Sequence, residues 1–259
     1  MLHVADALRL GAVGLEQIMG DKGRDELQPF VAANLHPAPW RGHEPELVVV
    51  LGSPAHEIAR FADKCRADLI VIGSHGYTGA RKAFFGSTAQ EVLRLAQVPV
   101  LALPLGGDAA VSSPLIASGP VVAPVDFSAE SCAAAHVAAR LARWICRSCS
   151  CTWRTMRRAG GGQRRLQHLG ATLDPHLPID VRLRAGDPGD EIARIARDQQ
   201  ASVVVMSLAS ALRIPGQPPG SVAYRVLCHA PSPILALPAT PSGSIFISHL
   251  HRPGVVLTV

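Results

Sequence analysis

Short apolar runs alternate along this chain with stretches whose apolar positions recur at helical spacing. Leu47–Leu51 is a five-residue apolar run and predicts a strand. Ser53-Pro54 predicts a helix start, because serine is a good N-cap and proline suits the first helical position. Ile58, Phe61, Ala62 and Cys65 then recur on one helical face, and Asp68 closes the element. Leu69–Ile72 is a continuous apolar strand, followed by a glycine-rich loop. Ser87 opens a second helix with Val92, Leu93 and Ala96 facing inward, and Pro99–Leu103 is a last strand. Strands separated by single helices imply βαβ units and a parallel sheet.

The pattern then repeats. With Gly186 laid on Gly52, residues 186–238 align with 52–104 without a gap. Pro188 falls on Pro54, Glu191-Ile192-Ala193-Arg194 on Glu57-Ile58-Ala59-Arg60, and Gly220-Ser221 on Gly86-Ser87. Leu235-Ala236-Leu237-Pro238 falls on Leu101-Ala102-Leu103-Pro104. Such self-similarity marks two copies of one unit. The expected organisation is unit 1 over 1–105, a Gly/Ala/Ser/Pro linker over 106–119, unit 2 over 120–239 and a tail over 240–259.

Unit 2 opens with a strand and helix that unit 1 lacks. Val121–Val125 predicts a strand ended by Asp126, and Ser128 caps a helix through Ala133, Val137, Ala138 and Leu141. Unit 1 begins at Leu2-His3-Val4, which corresponds to the second strand. Three explanations stay open: a strand encoded upstream of Met1, a decayed copy, or another segment filling the gap. Ser244–Ser248 and Val255–Val259 in the tail are strand-like, but the expected state of the tail is a loose extension.

Composition narrows the class. Hydrophobic residues make up 48%, charged residues 17% and aromatic residues only 4%. That is globular, with an aliphatic core suited to a sheet buried on both faces. No apolar run reaches a membrane span, and Asp6 and Glu16 with no basic start argue against a secretory signal, so a cytoplasmic protein without membrane association is expected. The six cysteines show no disulfide framework. Net charge is +5, and 131–173 holds arginines from Arg140 to Arg165 but no Asp or Glu. A solvated helix face explains this better than nucleic-acid binding, since no aromatic interleaving accompanies it.

The candidate chemistry is the loop Gly73-Ser74-His75-Gly76, continuing to Gly86-Ser87. It joins the carboxyl end of a buried strand to a helix start, the edge where open α/β sheets bind ligands. Glycines admit a phosphate close to the backbone, and the helix start offers N–H groups and a positive dipole end. Ser87-Thr88-Ala89-Gln90 fits a capping box. No Gly-Lys-Ser/Thr follows, so this is not a P-loop.

The spacing Gly-x2-Gly-x9-Gly-Ser, in this strand–helix context and in two units, resembles the universal stress protein family. The resemblance implies two Rossmann-like, adenine nucleotide alpha hydrolase-like parallel-sheet units in tandem. It places Gly73, Gly76, Gly86 and Ser87 at the phosphates of ATP, with Ser74 and His75 in the same turn of the binding site and magnesium entering only with the nucleotide. It implies a stress-response regulator with no catalytic residues, at most a weak ATPase. A homodimer or an intramolecular pseudo-dimer is the implied assembly. The family's acidic contact at the end of the first strand falls on Asp126, in unit 2. There the aligned loop reads Ser207-Leu208-Ala209-Ser210 and carries Pro215, Pro218 and Pro219, which remove donors. The alternative is a tandem interaction scaffold with vestigial loops. Cys146 and Cys149 form a C-x-x-C without a second ligand pair, and neither His136 nor His168 stands at a zinc spacing. Asp187 and Asp190 read as capping groups.

Overall fold

The computed structural model describes residues 2–6, 25, 28–29, 46–73, 86–104, 119–145, 151–155, 162–174, 176–184, 186–208, 221–238 and 256–258. Unit 2 is a five-stranded parallel sheet made of β5 (Val121–Val125), β6 (Cys151–Thr155), β7 (Ile179–Leu183), β8 (Val203–Ser207) and β9 (Ile234–Leu237), in the order β7-β6-β5-β8-β9. In unit 1, β1 (Leu2–Asp6) pairs with β2 (Val48–Gly52), and β3 (Leu69–Gly73) pairs with β4 (Val100–Leu103), both parallel. The helices are α1 (Pro54–Lys64), α2 (Ser87–Leu95), α3 (Ala129–Ile145), α4 (Gly162–Leu173), α5 (Pro188–Asp198) and α6 (Ser221–His229). The alternating α/β reading and the parallel sheet stand as expected.

One antiparallel contact joins the two units. β4 runs against β9 with Leu101 opposite Leu235, Val100 opposite Ala236 and Ala102 opposite Ile234. Leu101 and Leu235 are repeat equivalents, so the junction is self-complementary about a pseudo-two-fold axis, as in an isologous dimer. It makes one eight-stranded sheet, β10-β3-β4-β9-β8-β5-β6-β7.

The strand β10 (Val256–Thr258) corrects the expectation of a loose tail. It lies parallel to β3, with Val256 opposite Leu69, Leu257 opposite Ile70 and Thr258 opposite Val71. The reason is that β3 has a second row of backbone groups to satisfy, and among the described residues no other strand meets it. Among the described residues β1 pairs only with β2, and the second strand-like stretch, 244–248, lies outside them. The linker lies outside them as well, except for Gly119.

One face of the sheet is covered by α1, α2, α5 and α6. Ile58, Ile70, Val92, Val100, Val204 and Val226 are at most 1% exposed in that layer. Fully burying such an aliphatic side chain stabilises by about 1.5–3 kcal/mol. The other face is covered by α3 and α4 over unit 2, where Val203, Val205, Leu235 and Leu237 are buried. Their unit 1 equivalents, Leu69, Val71, Leu101 and Leu103, are only half-buried. Among the described residues no helix of unit 1 stands where α3 stands over unit 2. Within α3, Ala133 is exposed, and Ala134, Ala135, Val137 and Ala138 are buried.

The repeated Gly-x-Pro-x-x-Glu-Ile-Ala-Arg run has a local cause. Gly52 and Gly186 have φ of +154° and +144°. A Cβ would come within 2.7 Å of Glu57 Cγ at the first and 3.1 Å of Glu191 Cγ at the second. Each glutamate folds back over its glycine and pairs with the arginine three residues on, Arg60 or Arg194. Gly52→Ala is therefore expected to cost about 1–3 kcal/mol in chemical denaturation, through backbone strain and the contact with Glu57. Ser53→Ala in the same turn should cost less than about 0.5 kcal/mol, because Ser53 makes no side-chain capping bond.

Candidate functional site

The parallel strands place their carboxyl ends along one edge of each unit. In unit 1 the edge carries Gly73, the last residue of β3, from which the glycine loop departs. The loop returns at Gly86, the N-cap residue of α2, with extended φ and ψ of −59° and 138°. Ser87 is the first helical residue and is exposed. Ser74, His75 and Gly76 lie outside the described residues.

The capping box expected at Ser87 and Gln90 does not form. The helix begins one residue earlier than that motif needs, so Gly86 takes the cap position and has no side chain to offer. The Gln90 N–H donates to Gly86 O at 2.9 Å, which is the ordinary first helical bond. Among the described residues no side chain caps α2, and its first turn holds no acidic residue. The first N–H groups of a helix and its positive dipole end favour an acceptor or negative charge there. α1 also lacks a side-chain cap bond, but there Pro54 removes a donor and Glu57 supplies a negative charge.

Unit 2 presents a different edge. Asp126 follows β5, and its Oδ1 accepts from the Ser128 hydroxyl at 2.6 Å and the Ser128 N–H at 2.9 Å. Ser128 Oγ accepts from the Ser131 N–H at 3.2 Å and so caps α3 as expected. The Ser131 hydroxyl lies 3.1 Å from Ser128 O and 3.3 Å from the Asp126 N–H. Phe127 sits between them in the left-handed region, φ 65°. The Arg165 guanidinium, from the first turn of α4, lies 4.1 Å from the centre of the Phe127 ring, a cation–π distance.

Partial burial pushes the Asp126 carboxyl up. The hydroxyl and N–H of Ser128, with smaller help from the Ser131 hydroxyl and its own N–H, outweigh that and bring it below the ordinary value. Burial and the nearby Asp126 charge push the Cys132 thiol up, with Arg165 and Ser131 opposing. A raised thiol is a poor nucleophile at neutral pH.

Among the described residues, the structure sets Asp126 apart from Gly73, Gly86 and Ser87. β4, β9 and β8 lie between β3, which carries Gly73, and β5, which leads to Asp126. Gly73, Gly86 and Ser87 belong to one edge and Asp126 to another. Ser207, at the repeat position of Gly73, is buried at the end of β8. Arg165 is the residue that sequence reading missed, since its partner Phe127 is remote in the chain. The only available signal was the arginine run, which also contains Arg143, paired with Asp174 at 3.4 Å. Asp187 Oδ1 accepts from the N–H groups of Gly189 and Asp190 at 3.0 and 3.3 Å, so its capping role stands. Cys146 and Cys149 lie outside the described residues. Among the described residues no three of His, Cys, Asp and Glu converge to hold a metal ion, and no helix is long and apolar enough to cross a membrane.

The depressed Asp126 carboxyl fixes the sign of a pH effect. Its folded value lies below its unfolded one, so its stabilisation is complete above the unfolded value, about 3.9, and is lost as pH falls through the folded value. Ser128→Ala should raise the Asp126 value in a carbon-detected NMR titration. It should also lower stability at pH 7, with the difference from wild type shrinking as the pH falls below 3.9.

Comparison with known proteins agrees with this architecture. The family model described as "Universal stress protein family" matches residues 1–104 and 154–238, most of the chain. A universal stress protein of Methanocaldococcus jannaschii is 50% identical over 50 residues, 19% of this chain and 29% of that protein. The universal stress protein YxiE of Bacillus subtilis is 38% identical over 61 residues, 24% of this chain and 41% of its own length. The chain thus spans less than half the length of these curated relatives. The crystal structure of a universal stress protein from Archaeoglobus fulgidus superposes with a TM-score of 0.71 at 20% identity, covering 93% of this chain and 85% of that one, which shows the same fold. With the family model spanning both units and the fold matching, the chain belongs to the universal stress protein family.

Proposed function

We propose that unit 1 is an adenine-nucleotide receptor and that the protein acts as a stress-response regulator in the cytoplasm, binding ATP rather than turning it over. The observation that carries this reading is the start of α2. It follows a glycine loop that leaves the carboxyl end of a parallel strand, and it has neither a side-chain cap nor an acidic first-turn residue. Such a helix start favours a phosphate through its N–H groups and dipole. Gly73, Gly86 and Ser87 are the described residues assigned to the phosphates, and Ser74, His75 and Gly76 belong to the same loop in sequence. Bound ATP supplies the negative charge this helix start lacks, and magnesium enters with it.

Unit 2 is assigned a structural part. Ser207 is buried where unit 1 has Gly73, and the Asp126 carboxylate is engaged by Ser128. The arrangement supports binding and regulation, with no group assigned to proton transfer.

Titration calorimetry with ATP and magnesium tests the proposal. The wild-type chain should give saturable heat. Gly86→Asp fits the backbone, since φ at Gly86 is negative, and it places a carboxylate at the helix start. It should weaken binding at least about tenfold, or about 1.4 kcal/mol, with the circular dichroism spectrum unchanged. Absence of heat with the wild-type chain, or equal affinity of the two chains, refutes this assignment.

A further inference from the structure

The repeat supplies an internal reference for β10. At the offset that lays unit 2 on unit 1, Val203 and Val204 of β8 fall on Leu69 and Ile70 of β3. In unit 2 these residues are register partners of Val121 and Val122, in the first strand of the unit. In unit 1 the same two positions partner Val256 and Leu257. β10 therefore occupies the first-strand slot in the same direction and register, although it comes from the other end of the sequence.

Backbone direction confirms the fit. The Ile70 N–H donates to Pro99 O at 2.9 Å, toward β4. Alternation along a strand then turns the N–H and C=O groups of Leu69 and Val71 toward β10. With Leu257 opposite Ile70, the parallel ladder sets the Leu257 N–H against Leu69 C=O, and the Leu257 C=O against Val71 N–H. Unit 2 behaves alike, with Val204 N–H donating to Pro233 O at 2.9 Å, so that Val203 and Val205 turn to β5. Because β10 is parallel to β3, it runs toward the edge where Gly73 begins the glycine loop.

We propose that the tail strand is a working part of the ligand site of unit 1. The N–H and C=O of Leu257 hold β3 at Leu69 and Val71, two residues before Gly73, where the phosphate loop departs, and the nucleotide affinity of that loop depends on this pairing. The inference rests on the nucleotide reading above. Linkage makes the effect reciprocal: a bound nucleotide holds the tail in, and release of the tail loosens the nucleotide.

Three full-length chains test it: wild type, Leu257→Pro and Thr258→Pro. Proline at 257 deletes the N–H that faces β3. Proline at 258 deletes one that faces away, which an edge strand tolerates. Hydrogen exchange by NMR at Val71, Ile70 and Val204 reads the pairing, and calorimetry with ATP reads the site. In Leu257→Pro, exchange at Val71 should accelerate at least about tenfold, while Ile70 and Val204 keep their protection. Affinity should fall at least about tenfold, and Thr258→Pro should match wild type in both readouts.

Unchanged protection at Val71 in Leu257→Pro overturns the strand's role. Lost protection with wild-type affinity overturns the dependence and leaves the nucleotide reading standing. No heat with the wild-type chain overturns both. A second variant is independent of any folding defect in Leu257→Pro. Val71→Cys with Thr258→Cys joins register partners, at a separation a disulfide can span. Its oxidised form should bind ATP at least as tightly as its reduced form, and a locked chain that binds more weakly also overturns the proposal.

Discussion

A strand inside a parallel sheet carries two rows of N–H and C=O groups, and both rows need a neighbour. For β3 that requirement organises the whole molecule. One row is met by β4, through bonds such as Ile70 N–H to Pro99 O. The other faces the equivalent of the slot that β5 fills beside β8 in unit 2. β10 fills it, and the eight-stranded sheet begins there. Among the described residues, the strand beside β3 thus comes from beyond the second repeat.

The junction between β4 and β9 follows from the same demand. Each is the last strand of its unit and exposes one free edge. Antiparallel pairing covers both edges at once, and Leu101 opposite Leu235 lets two equal surfaces meet. Helices α1, α2, α5 and α6 then form one continuous layer across the junction. The opposite layer is uneven. α3 and α4 seal it over unit 2, while the equivalent residues of unit 1 remain half-buried.

The two units also differ at the carboxyl ends of their strands. Unit 1 keeps the glycines and an uncapped helix start. Unit 2 keeps the acid, but Asp126 is drawn into the cap of α3, where Ser128 lowers its carboxyl and Arg165 lies over the neighbouring Phe127 ring. Three strands separate Asp126 from the loop at Gly73. Asp126 therefore belongs to the architecture of unit 2 and stands apart from the edge that carries Gly73.

Much of this was legible in the sequence because it is local or periodic. Val121–Val125 predicts β5 residue for residue, helical spacing places Ile58, Ala62, Val92 and Leu93 inside, and the offset between Gly52 and Gly186 reveals the repeat. The capping box was misread because Ser87 lies one position past the cap, and a one-residue shift is within what hydrogen-bond geometry alone decides. Tertiary structure decided the rest: the antiparallel β4–β9 seam, the contact of Arg165 with Phe127, and the seating of Val256–Thr258 beside β3. The sequence by itself determined which segments become strands and helices and where the glycine-rich stretch between β3 and α2 lies, because those depend on neighbours a few residues apart. It could not determine which strand stands next to which, because backbone pairing is indifferent to side-chain identity and is settled only when every edge competes for a partner.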